Sequence, residues 1–233
     1  YSGSQCLKAI QEEGITSVLV NPNIATIQAD TRFADKVYSI PVNPEYVESI
    51  IEVERPDGLM LGFGGQTALN CGVKLDELGI LKKYGVKVLG TQVLGIQATE
   101  DRQLFKDSMI ACNVPVLKSR TVYNFEDGKK IANELGYPVI IRVAYTLGGK
   151  GGGVAHNEIE LHAIVSRGLN ASLVGQVLIE EYVGQWKQIE YEVMADYTGN
   201  NVIICNMENV LSMRVHTGDN IVVAPSQTLD NYE

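Results

Sequence analysis

The 233 residues are 45% apolar and 20% charged, proportions of an ordinary soluble globular protein with enough chain for one large core or two small ones. The net charge is −9 and the lysines and arginines are scattered, which argues against nucleic acid or an anionic membrane as a partner. No apolar run nears the ~20 residues that cross a bilayer. The opening Tyr1-Ser2-Gly3-Ser4 lacks the basic and apolar parts of a secretory signal, and it has no methionine, so a segment of a longer, cytoplasmic protein is expected.

The first third alternates helix and strand signals. Residues 5–13 carry helical spacing and stop at Gly14, and residues 16–20 form a β-branched run closed by the turn Asn21-Pro22-Asn23. A strand is predicted over 37–42, an amphipathic helix over 44–55 and a buried strand over 58–62. A helix over 67–79 and a strand over 86–89 follow. Strands separated by helices imply right-handed crossovers and a parallel sheet with helices on both faces. Ligands of such sheets sit at the carboxyl ends of the strands, where Asn21-Pro22-Asn23 and Gly62 to Gly65 fall.

After about residue 91 the pattern changes. Helices are predicted over 100–112, with Asp101 and Arg102 in the first turn, and over 125–135, stopped by Gly136. A strand over 138–143 leads into the glycine-rich stretch 146–153. A short strand at 154–155, a helix over 157–168 and strands over 177–183, 188–194 and 201–205 complete the reading. Cys6, Cys71, Cys112 and Cys205 lie far apart in apolar contexts, without CxxC spacing, and read as buried free thiols of a reducing compartment.

The strongest local signal is the stretch 146–153, where Gly148, Gly149, Gly151, Gly152 and Gly153 surround Lys150. Glycines expose backbone amides and permit positive φ, so the chain can wrap an anion, and Lys150 adds a point charge for a phosphate oxygen. GxxxxGK[ST] and GxGxxG both fail, and both require a helix directly after the loop. Here strand, loop and strand form a hairpin flap. Arg142, on the strand feeding the flap and two residues from Ile140, calls for an anionic partner, either a phosphate or an acidic neighbour. Arg102 opposes a helix dipole at its helix start. Glu180 and Glu181 end a strand, while Glu190 and Glu192 share a face of the next, suited to ribose hydroxyls or magnesium or to a solvated sheet face. His216-Thr217-Gly218-Asp219 is a dense polar cluster fit for a substrate loop.

In order along the chain, these residues resemble the amino-terminal half of the carbamoyl-phosphate synthase large chain. The resemblance rests on Tyr1 to Ser4, Val20 to Thr26, Glu54 to Asp57, Gly64 to Cys71, Thr99 to Arg102, Tyr137 to Arg142 and the glycine-rich stretch. Trp186-Lys187, Glu190 to Val193, Asn206 to Asn209, His216 to Asp219 and Ala224 to Thr228 complete it. It implies an α/β parallel-sheet pre-ATP-grasp domain over 1–92 and a partial α+β ATP-grasp domain over 93–233. It also implies a ligase activity in which ATP phosphorylates bicarbonate to carboxyphosphate, and ammonia from glutamine then gives carbamate. Arg102, Arg142 and His216 would serve the phosphoryl step. Arg102, Arg142, Gly148 and Gly149 would meet the nucleotide phosphates, Glu181 and Val183 the adenine, and Gln188 the ribose. Arg214, Val215 and His216 would form a later nucleotide loop.

Three positions depart from the pattern: Gln188 for a usual glutamate, Ala195 for a usual arginine, and Arg214 for a usual glycine. Magnesium or manganese would accompany ATP, with metal ligands beyond Glu233. The implied partners are a glutamine amidotransferase, as subunit or fused domain, and the second half of the same chain, in pyrimidine or arginine biosynthesis. The 233 residues alone are expected not to turn over. Another ATP-grasp ligase of the biotin carboxylase type, or a non-catalytic nucleotide-binding or assembly fragment, are the competing readings.

Overall fold

The computed structural model describes residues 1–143, 151–172, 175–211, 213 and 220–230, with Arg102 as backbone only. The chain divides into two compact units, Tyr1–Val114 and Pro115–Glu233.

In the first unit the order is α1 (Ser2–Glu12), β1 (Val18–Val20), a 3-10 turn (Ile27–Ala29), β2 (Lys36–Tyr38), α2 (Pro44–Glu54) and β3 (Gly58–Met60). Then come α3 (Gly65–Glu77), α4 (Ile80–Tyr84), β4 (Lys87–Leu89), α5 (Val93–Glu100) and α6 (Arg102–Ala111). The predicted parallel pairing is present, as two ladders: β1 with β2, Leu19 opposite Val37, and β3 with β4, Leu59 opposite Val88. Helix α2 begins where Asn43 accepts the Tyr46 amide at 3.0 Å and Pro44 presets the first turn. One buried cluster joins Val47, Ile51, Cys71, Leu75, Ile80, Leu81 and Val86; a second joins Leu61, Val93 and Ile96.

The predicted helix over 100–112 is α6, and a separate helix that the sequence reading does not mark, α5, precedes it. Asp101 is not a first-turn residue but the cap between them, accepting the Gln103 and Leu104 amides at 2.9 Å each. The strand expected over 37–42 ends at Tyr38, before Pro41, which has no amide to give a ladder. All four cysteines are free, but only Cys71 is buried: Cys6 and Cys205 are half-buried, and Cys112 is exposed as the cap residue beyond α6.

The second unit runs β5 (Ser119–Val122), α7 (Phe125–Leu135), β6 (Val139–Val143), β7 (Gly153–Ala155), α8 (Glu158–Ala171), β8 (Val177–Glu181), β9 (Ile189–Ala195), β10 (Asn201–Asn209) and β11 (Val222–Val223). Strands β5, β8, β6 and β7 form one antiparallel sheet in that order, and β11, β10 and β9 form another. Asn124 caps α7 through the Asp127 amide and Asn157 caps α8 through the Glu160 amide, while the Glu160 side chain reaches back to the His156 amide at 2.9 Å.

Alternation along β6 puts Val139, Ile141 and Val143 into a core with Val177 and Ile179 of β8, Ile131 and Ala132 of α7, and Leu161 and Val165 of α8. Each large aliphatic buried there contributes about 1.5–3 kcal/mol. The opposite face of the sheet carries Ile140, Arg142, Leu178 and Glu180. On that face Leu178 is buried and Ile140 half-buried. Strand β10 extends four residues past the predicted 201–205, its far end held between β9 and β11.

Candidate functional site

On the sheet face away from the helices, Arg142 of β6 stands diagonally across from Glu180 of β8, and its Nε donates to Glu180 Oε1 at 2.9 Å. Of the two partners that the sequence left open for Arg142, this is the acidic one. The arginine side chain is 36% exposed and the glutamate 14%. A guanidinium has five N–H donors, so the pair fixes the arginine through Nε without consuming its terminal nitrogens. That is a fixed positive charge beside the place where the glycine-rich stretch leaves β6.

At the end of β8, Glu181 is tied down twice: its amide donates to Lys118 O at 3.0 Å, and its Oε1 accepts the Lys118 amide at 2.8 Å. The chain then turns through Val183, whose carbonyl accepts the Trp186 amide at 2.9 Å. Trp186 accepts in turn from the Met213 amide at 3.4 Å and is exposed.

Gln188, Glu190 and Asn209 meet on one face of β9 and β10. Glu190 Oε1 accepts Gln188 Nε2 at 3.0 Å and Asn209 Nδ2 at 2.6 Å, and the Asn209 amide donates to Gln188 O at 3.0 Å. Asn209 Oδ1 is buried and without a hydrogen-bond partner among the described residues. Glu192 shares the Glu190 face but is exposed opposite Cys205. Ala195 ends β9 opposite Asn201, exposed.

On the other face of β10, Asn206 and Glu208 grip residues 226–228. Asn206 Nδ2 donates to Ser226 Oγ at 2.9 Å and its Oδ1 accepts the Ser226 amide at 3.2 Å. The buried Glu208 carboxylate accepts the Gln227 and Thr228 amides at 2.9 and 3.0 Å and the Thr228 hydroxyl. These donors, the Thr228 hydroxyl foremost, hold its pKa below the ordinary glutamate range. Lys187 Nζ donates to Thr228 O at 3.2 Å.

The structure thus gathers Arg142 with Glu180 and Gln188 with Glu190; Glu181 ends β8, and Val183, predicted within that strand, lies in the turn beyond it. Gly148, Gly149, Arg214, Val215 and His216 lie outside the described residues, as does the Arg102 side chain. Asn209 and Glu208 were not singled out as site residues. Their signal was only membership of the segment Asn206 to Asn209. Among the described residues no group of three or more histidine, cysteine or acidic side chains is arranged to hold a metal ion. No helix there is long and apolar enough to cross a membrane.

Two family models divide the chain: the carbamoyl phosphate synthase preATP-grasp domain over 1–98 and the carbamoyl-phosphate synthase L chain, ATP binding domain over 101–233. Among named proteins, the carbamoyl phosphate synthase large chain, N-terminal section of Methanopyrus kandleri is 55% identical over all 233 residues, which cover 41% of its length. The carbamoyl phosphate synthase large chain of Clostridium botulinum is 54% identical, again over the whole chain and 22% of the relative. The arginine-specific, mitochondrial large chain of Neurospora crassa is 52% identical over 20% of its length. The chain therefore spans about a fifth of most of the relatives it matches.

Solved structures give the fold. The biotin carboxylase domain of Hydrogenobacter thermophilus 2-oxoglutarate carboxylase matches at TM-score 0.75 and 23% identity, over 89% of this chain and 48% of that one. Campylobacter jejuni biotin carboxylase matches at 0.73 and 22%, over 88% and 48%. Parallel ladders preceding an antiparallel α+β unit are the pre-ATP-grasp and ATP-grasp order expected from sequence. Matched end to end by its two domain models, the chain belongs to the carbamoyl-phosphate synthase large-chain family.

Proposed function

We propose that this chain forms the carboxyphosphate-making part of a glutamine-dependent carbamoyl-phosphate synthase. The observation that carries the reading is 55% identity across all 233 residues with a protein named as the N-terminal section of that large chain. In the proposed step a bicarbonate oxygen attacks the γ-phosphorus of ATP, the bond to the ADP oxygen breaks, and ADP leaves with the electron pair. Little covalent work falls to the protein, so positioning and fixed charge dominate. Arg142, oriented by Glu180, supplies one such charge. Arg102, Gly148, Gly149 and His216 are proposed to add to it. Glu181, Val183, Gln188, Arg214 and Val215 are proposed to seat the nucleoside.

Magnesium or manganese belongs to the proposal with its ligands beyond Glu233. Ammonia from glutamine, an amidotransferase subunit or domain, the second half of the large chain, and a cytoplasmic setting in pyrimidine or arginine synthesis complete it, with domain limits near 1–92 and 93–233. The biotin-carboxylase-type alternative draws only on the shared fold. The test is ADP release by the intact large chain with and without bicarbonate. R142A should lower the bicarbonate-dependent rate about a hundredfold or more, the scale for losing one transition-state donor. Hydrolysis indifferent to bicarbonate would sink the proposal.

A further inference from the structure

The downstream end of the glycine-rich stretch lies on helix α8. Arg167 Nη2 donates to Gly152 O at 3.0 Å and its Nε to Gly151 O at 3.4 Å. The fit beneath is close. A Cβ added to Gly151 would stand 3.0 Å from Ala171 Cβ, and Gly151 has φ +84°, which side-chain-bearing residues rarely adopt. A Cβ added to Gly168 would stand 2.8 Å from Val177 Cγ1 and 3.5 Å from Gly151 O. Gly153 then enters β7 opposite Ile141, where an added Cβ would stand 3.3 Å from Ile164 Cδ1 and 3.7 Å from Arg167 Nη2.

Arg167 is exposed, so its charge would be well solvated without these carbonyls. What the two bonds add is restraint: a planar guanidinium fork suits two successive acceptors as an ammonium does not. Glycine has more backbone freedom to lose than any other residue, and a segment ordered before its ligand arrives need not be ordered at the expense of affinity. We propose that Arg167 is a positioning residue of the nucleotide site, holding Gly151 and Gly152 so that the glycine-rich stretch meets the ATP phosphates from a fixed root. It acts through those glycines and does not touch the nucleotide. The inference rests on the reading that the stretch binds ATP.

The experiment uses the intact large chain carrying R167A, R167K or R142A beside the unaltered protein. ATP is varied in the bicarbonate-dependent assay, and ADP with magnesium is titrated calorimetrically. R167A should raise both the KM for ATP and the Kd for ADP three- to tenfold, with kcat within twofold. R167K should recover part of the loss, since an ammonium reaches one carbonyl but lacks the fork. A drop in thermal stability with KM and Kd unchanged would show a merely structural bond and overturn the inference. So would a loss confined to kcat. If R167A does not fold, R167K carries the test by the same shifts. Nucleotide binding weakened by R142A and indifferent to Arg167 would remove this inference alone; an unaltered protein that binds no nucleotide would remove the reading beneath it as well.

Discussion

Replacing Arg142 by alanine separates a structural ion pair from a phosphate contact. The substitution strands the Glu180 carboxylate, only 14% exposed, without its partner at 2.9 Å. Breaking a fully buried pair costs about 3–5 kcal/mol, whereas an exposed pair contributes about 0.2–1. With the arginine more than a third exposed, water reaches the site and the expected loss is about 1–2 kcal/mol. Glu180→Gln keeps an acceptor for Nε and should cost under about 1 kcal/mol. The double variant strands no charge and should recover about 1 kcal/mol over R142A. Urea unfolding of all four proteins gives the coupling energy directly. Calorimetric ATP titration of the intact large chain gives the other half: R142A should lose at least tenfold in affinity, about 1.4 kcal/mol, and E180Q less than threefold. Equal losses from the two single variants would refute the reasoning, because the arginine would then matter only through its pair.

Ile179→Ala empties a site of 0% exposure in the centre of the second unit's core and should cost about 2–5 kcal/mol, read by denaturant midpoint at unchanged slope. Glu208 has a folded pKa below its unfolded one, so its contribution is complete above the ordinary value near ~4.3 and is lost as pH falls through the folded value. Stability measured downward from about pH 5 should therefore fall less steeply in E208Q than in the unaltered chain. The 233 residues alone should show no bicarbonate-dependent ATP turnover above background, and a normal enzyme rate would contradict the proposal that metal ligands lie beyond Glu233.

Most element positions were legible because local chemistry and packing agree: Asn43, Asn124 and Asn157 each precede a helix and each caps it. Arg142 was legible because a charge interrupts an apolar strand, yet the sequence could not choose Glu180 over a phosphate, since only the β6–β8 register brings them together. Asp101 misled because an acid suits a first turn as well as a cap, and only the backbone direction decides. Arg167 had no signal at all. An arginine on the outer face of an amphipathic helix looks like a solvated charge until the carbonyls of Gly151 and Gly152 are placed beside it.

Trp186 is the only tryptophan of the chain, and it lies in the second unit between Val183 and Gln188. Its indole is largely open to solvent while its backbone is pinned at both ends. Fluorescence excited at the indole band therefore reports from the second unit, whose core shares no residue with the buried clusters of the first. Melting followed by emission and melting followed by far-ultraviolet dichroism need not coincide, and a gap between them would resolve the two halves of the chain without labelling either.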